Sequence, residues 1–76
     1  LQQLNTDFYQ KLKEQHPNLT SRELKLCALL CIDMETKDIA SVFSISPDSV
    51  NKNRYRLRKK LQLDKSQDLI TYLKSR

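Results

Sequence analysis

The chain of 76 residues contains no glycine and no tryptophan, and it has only two prolines, two cysteines and one histidine. Without glycine there is no glycine-rich loop to cradle a phosphate, and together with the scarcity of proline this points to helices joined by short turns, with little or no sheet. One histidine and no pair of carboxylates set for acid–base work make an enzyme the least favoured class. The sequence has no run of 18 apolar residues and no signal-peptide pattern, so it reads as a soluble, cytoplasmic chain. Cys27 and Cys31 stand four apart in an apolar stretch, a spacing that does not favour a disulfide on a helix. With His16 far upstream they do not complete a zinc set either, so both are expected as buried free thiols, and no metal or cofactor is expected. A domain of this size buries roughly 60–65% of its unfolded surface, enough for a helical core but not for an enclosed active-site cavity. The first residue is Leu, which suggests a piece of a longer protein.

What the chain does have is concentrated positive charge. Residues 1–45 carry five Lys/Arg against six Asp/Glu, residues 46–63 six against one, and residues 64–76 three against two. The net charge of +5 therefore comes from one segment, in which six of the nine residues from Lys52 to Lys60 are basic. Charge gathered on one element favours a polyanion footprint, although a merely solvated basic helix has the same composition. A membrane-surface helix would need Trp or Phe anchors opposite its leucines, and this segment has none.

Helix starts and stops can be placed along the chain. Leu1, Leu4, Phe8 and Leu12 recur at three- and four-residue spacing, predicting an amphipathic helix that ends near His16-Pro17. Thr20-Ser21-Arg22-Glu23 matches a capping box, and the dense apolar run from Leu24 to Ile32 behind it reads as the central core helix, leaving through Asp33 and Met34. Thr36 is placed as the cap of a short helix from Lys37 to Phe43. Ser44-Ile45-Ser46 is then a three-residue turn with Ile45 tucked between two helices. Ser46 as N-cap, Pro47 at the first helical position and Asp48 in the first turn begin a long basic helix. Stepping about 100° per residue puts Val50, Leu57 and Leu61 in one apolar stripe and Asp48, Lys52, Tyr55 and Lys59 opposite, flanked by Asn51 and Arg58 on one side and Ser49 and Arg56 on the other. Ser66 is placed as the cap of a last helix carrying Leu69, Ile70, Tyr72 and Leu73. A short helix, a three-residue turn and a longer basic helix are the arithmetic of a helix-turn-helix.

Leu19-Thr20-Ser21-Arg22-Glu23, followed by Lys37-Asp38-Ile39-Ala40, Ile45-Ser46, Ser49-Val50 and Lys60-Leu61, resembles the LuxR-type DNA-binding domain without a gap from Leu19 to about Leu73. The resemblance implies an all-α bundle of four or five helices with an extra N-terminal helix: residues 1–17 as linker or added helix, and residues 18–76 as the DNA-binding domain. It also implies a transcriptional regulator's output domain that binds double-stranded DNA. Helix 46–61 would enter the major groove, the last helix would mediate a homodimer, and a sensory or receiver region would lie upstream. By the same resemblance Asn51, Lys52 and Tyr55 approach base edges, while Ser49, Thr36 and Lys37 meet phosphates. Arg56 and Lys59 join them as phosphate contacts from the helical wheel alone. The family's usual glycines are replaced by Asp33 and Gln62. Asp tolerates left-handed geometry, whereas Gln62 suggests that the helix runs on past it. Asn51 and Asn53 stand where Lys and His are frequent, so base preference does not transfer.

Chemically, Asn51 can pair bidentately with adenine, Lys52 can donate to guanine O6 and N7, and Tyr55 can meet a thymine methyl or a phosphate. Ser49 serves equally as part of the helix cap, and Arg54, beside the apolar stripe, reads as a packing residue with a snorkelling head. Leu69, Tyr72 and Leu73 are the candidates for dimerisation, with closure of the monomer's own core as the alternative for Leu69 and Leu73. Two other functions fit the pattern. A sigma-factor-like promoter reader would act with RNA polymerase, and a helical protein-interaction module would show no salt-dependent DNA binding.

Overall fold

The computed structural model describes residues 2–75, with side chains placed from Asp7 to Ser75. Five helices follow in order: α1 (Gln2–Gln15), α2 (Ser21–Cys31), α3 (Thr36–Phe43), α4 (Pro47–Lys60) and α5 (Leu69–Lys74), with no strand among the described residues. The architecture is the all-α bundle that the composition predicts. Helix α2 packs against both α1 and α5, while α3 packs against α4. Leu24, Leu26, Cys27 and Leu30 of α2 are buried, as a helix apolar around most of its girth requires. Leu12 of α1, Ile39 and Ala40 of α3, Val50 and Leu57 of α4, Leu61 after it, and Leu69 and Leu73 of α5 complete one core. Phe8 packs against this core from α1, whereas the expectations for Leu1 and the Leu4 side chain lie outside what is described.

The start of α2 forms as read. The Thr20 hydroxyl accepts from the Glu23 N–H at 3.1 Å, and the Glu23 carboxylate accepts from the Thr20 N–H at 2.8 Å. Two other starts differ from expectation. Thr36 is the first residue of α3 rather than its cap; Glu35 takes the cap position and makes no side-chain cap bond. Helix α5 is capped by Asp68, not Ser66, because the Asp68 carboxylate accepts from both the N–H and the hydroxyl of Thr71 at 3.0 Å. Ser66 instead gives its N–H and hydroxyl to Asp64, at 2.9 and 2.6 Å, folding the loop before α5. Asp68 stands directly before the buried Leu69, so it takes the cap position when that leucine enters the core.

The helix ends show how a chain without glycine turns. Asp33, Ser44 and Gln62 have φ of 63°, 56° and 60°, the left-handed geometry usually given to glycine. At each, the following residue's N–H reaches back five positions: Met34 to the Leu29 carbonyl, Ile45 to Ala40, Leu63 to Arg58. Met34, Ile45 and Leu63 then pack on the core. Gln62 therefore ends α4 at Lys60, contrary to the expectation that the helix runs on. Closing the turn brings Leu63 to the core and satisfies the last carbonyls, which outweighs the cost of a left-handed non-glycine residue, about 1–2 kcal/mol.

Candidate nucleic-acid interface

Helix α4 is held by its own cap and by its apolar edge. The Ser46 hydroxyl accepts from the Ser49 N–H at 3.1 Å and donates to the Ser49 hydroxyl at 3.0 Å, so Ser49 is tied into the cap. Val50 and Leu57 are buried, and Leu61 closes the stripe beyond the helix end. With that edge fixed, Asn51, Lys52, Tyr55, Arg56 and Lys59 are turned outward and line one shallow, open depression. All three residues predicted to approach bases, and two of those predicted to meet phosphates, therefore share one face. Tyr55 is 60% exposed, and the Lys59 ammonium lies 4.8 Å from its ring centroid, one helical turn on. That contact holds a cation and an aromatic ring at the same point of the surface.

The other predicted phosphate residues stand apart from this depression. Thr36 is half-buried at the first position of α3, and Lys37 beside it is exposed, its ammonium 3.8 Å from Glu35. With both side chains about three-quarters exposed, that ion pair holds Lys37 weakly and leaves it available to another anion.

Two of the six cations between Lys52 and Lys60 serve the fold instead. The Arg58 guanidinium donates to the Gln67 and Asp64 carbonyls at 2.8 and 2.7 Å, fastening the loop that leads into α5. Lys60 donates to the Glu23 carboxylate at 2.8 Å and to the Asn18 carbonyl at 3.3 Å, tying the end of α4 to the start of α2. Partial burial of Glu23 works to raise its pKa, but the Lys60 and Thr20 hydrogen bonds outweigh it and hold the carboxyl below its ordinary value. Neither tether was readable from the helical wheel, which sees one helix at a time; the Glu23 partner is 37 residues away. Lys52, Arg54, Arg56 and Lys59 have no carboxylate within 4.0 Å among the described residues. Arg54 is half-buried, in keeping with a stem laid beside the apolar stripe.

A helix-turn-helix is thus in place: α3, the turn Ser44–Ser46, and α4 with its polar and cationic face outward. The family model of the bacterial regulatory proteins of the luxR family matches residues 17–73, three quarters of the chain. The chain belongs to the luxR family. It is therefore a DNA-binding helix-turn-helix domain of a bacterial regulator, and the LuxR assignment reaches from the α1–α2 turn to Leu73 of α5. No curated protein and no solved structure matches it.

The remaining sequence expectations for this LuxR-family domain concern α5 and the cysteines. Leu69 and Leu73 are 3% and 0% exposed, so they close the core of a single chain and offer no surface to a partner. Tyr72 is half-buried, and its hydroxyl lies 2.8 Å from Nε2 of His16 at the end of α1. Cys27 is buried, and that burial pushes its thiol up to about 12. Cys31 is only half-buried, which corrects the reading of two buried thiols, because it sits in the last turn of α2 where the core thins. No group of three or more potential metal ligands occurs among the described residues, and no helix there is long and apolar enough to cross a membrane.

Proposed function

We propose that this domain binds specific double-stranded DNA sequences by laying α4 in the major groove. The observation that carries the reading is the depression lined by Asn51, Lys52, Tyr55, Arg56 and Lys59, where donors and cations converge without a carboxylate among them. An α-helix fits the major groove of B-DNA, and these side chains match its edge chemistry: Asn51 for adenine, Lys52 for guanine, Tyr55 for a thymine methyl. Arg56 and Lys59 at the rim, with Thr36 and Lys37 at the start of α3, meet phosphates and set the register. Ser49 adds to this only through the hydroxyl that its cap already engages.

Two copies bind a repeated half-site, paired through α5 by its half-buried Ile70 and Tyr72 rather than by the buried leucines. A sensory or receiver region in the parent chain controls when they do so. The test is selection of duplexes from a randomised pool, followed by binding of the winner and a scrambled control over a range of salt. Tighter binding to a two-half-site winner, with a steep salt slope on both duplexes, supports the reading. Equal binding reduces it to a generic basic surface. No binding at low salt removes it in favour of a protein-interaction module.

A further inference from the structure

A second cleft adjoins the depression on α4. Thr20, Arg22 and Glu23 at the start of α2, Phe43 at the end of α3, and Asn53 and Arg56 on the flank of α4 line it. Arg56 belongs to both surfaces, so the two are continuous along the helix. The Arg22 guanidinium carbon lies 4.9 Å from the Phe43 ring centroid, and the Lys25 ammonium lies 5.9 Å from the same ring. A guanidinium held over a ring face keeps its N–H donors free for another acceptor. No carboxylate lies within 4.0 Å of Arg22 or Arg56 among the described residues. The one acid in the cleft, Glu23, is already neutralised by Lys60 and by the Thr20 N–H. The cleft thus holds two uncommitted guanidinium groups beside the half-buried amide of Asn53, a donor set suited to a phosphate oxygen.

We infer that this cleft seats a DNA backbone phosphate at the edge of the major groove, with Arg22 as a phosphate contact supplied by α2, outside the helix-turn-helix proper. The inference rests on the proposed insertion of α4. If α4 enters the groove with the Asn51–Lys59 face toward the bases, a strand passing its flank meets Arg56 and then Arg22. Two guanidiniums contributed by different helices would fix the angle at which α4 lies in the groove. Lys25, farther from the Phe43 ring than Arg22, adds only long-range charge.

The test uses the chain itself, the selected duplex and its scrambled control, with wild type, Arg22→Gln, Arg22→Lys and Lys52→Ala titrated over a range of salt. Thermal melting without DNA shows whether each variant is folded. For Arg22→Gln, affinity is expected to fall about tenfold on both duplexes at low salt. The slope of log K against log salt should become shallower by about 0.9 per domain. Arg22→Lys keeps the charge and should retain the slope. Wild-type slope and affinity in a folded Arg22→Gln variant, while Lys52→Ala still weakens the selected duplex, overturn the Arg22 contact alone. Loss confined to the selected duplex also overturns it, since that would mark a base contact. Failure of wild type to bind either duplex removes the DNA reading and this contact with it.

Discussion

Lys52 and Lys60 are the same residue type on one helix, yet their environments give them different work. Lys52 is exposed in the α4 depression, whereas Lys60 is bound to Glu23 and the Asn18 carbonyl. Lys52→Ala should therefore cost roughly 1–3 kcal/mol on a specific duplex and relax the preference at one base pair, with stability unchanged. Competition binding over a set of single-base variants checks this; equal loss on every sequence would make Lys52 a phosphate contact. The cysteines separate in the same manner. Burial raises the Cys27 thiol to about 12, and Cys31 is half-exposed, so a thiol reagent at neutral pH should label one site quickly and the other only on unfolding. Two equally fast sites under native conditions would show that the core opens locally around α2.

At the level of helices, the ends hold the information that the apolar pattern does not. Gln62 sits at φ 60°, where glycine is free of side-chain strain. Gln62→Gly should raise stability by about 1 kcal/mol in urea denaturation, because removing the Cβ clash outweighs the added freedom of the unfolded chain. A loss of stability would mean that the Gln62 side chain holds the turn. Arg58 spans from α4 to the loop before α5 through two carbonyls. Arg58→Ala should destabilise the domain by about 1.5 kcal/mol, the lower end for charged hydrogen bonds because the site is partly exposed. The salt slope for DNA should stay unchanged, in contrast to Lys59→Gln, which should make it shallower. The starts of α2 and α4 were legible because their bonds run between residues three apart. The cap of α5 was misplaced because Ser66 and Asp68 are both good caps, and the choice depends on where Leu69 meets the core.

For the molecule as a whole, three carboxylates tie the loops and helix starts, and each is held below its ordinary pKa. Burial works to raise Glu23, but the hydrogen bonds from Lys60 and Thr20 prevail; Ser66 lowers Asp64, and Thr71 lowers Asp68. In each case the unfolded chain binds a proton at higher pH than the folded one. Their contribution is therefore complete above about pH 5 and lost as pH falls through the lowered values, below the ordinary 4.5 of Glu23 and 3.8 of the two aspartates. Melting temperature measured from pH 6 to pH 2.5 should fall with acidity, most steeply below about pH 4. An unchanged melting temperature across that range would mean that these hydrogen bonds are matched in the unfolded chain.

The amino-acid order by itself determined the five helices, the buried apolar run of α2, the turn before α4 and the outward face bearing Asn51, Lys52 and Tyr55. These follow from period-3.6 burial and from caps that act within a few residues, interactions whose partners are neighbours in the chain. Tertiary structure alone decided which cations stay available and which side chains close the core. Lys60 was committed by Glu23, Arg58 by the loop carbonyls, and Leu69 and Leu73 by the packing of α5 on α2. Those partners lie six to 37 residues or a helix away, and a charge or an apolar group has no intrinsic preference among distant partners until folding sets the distances.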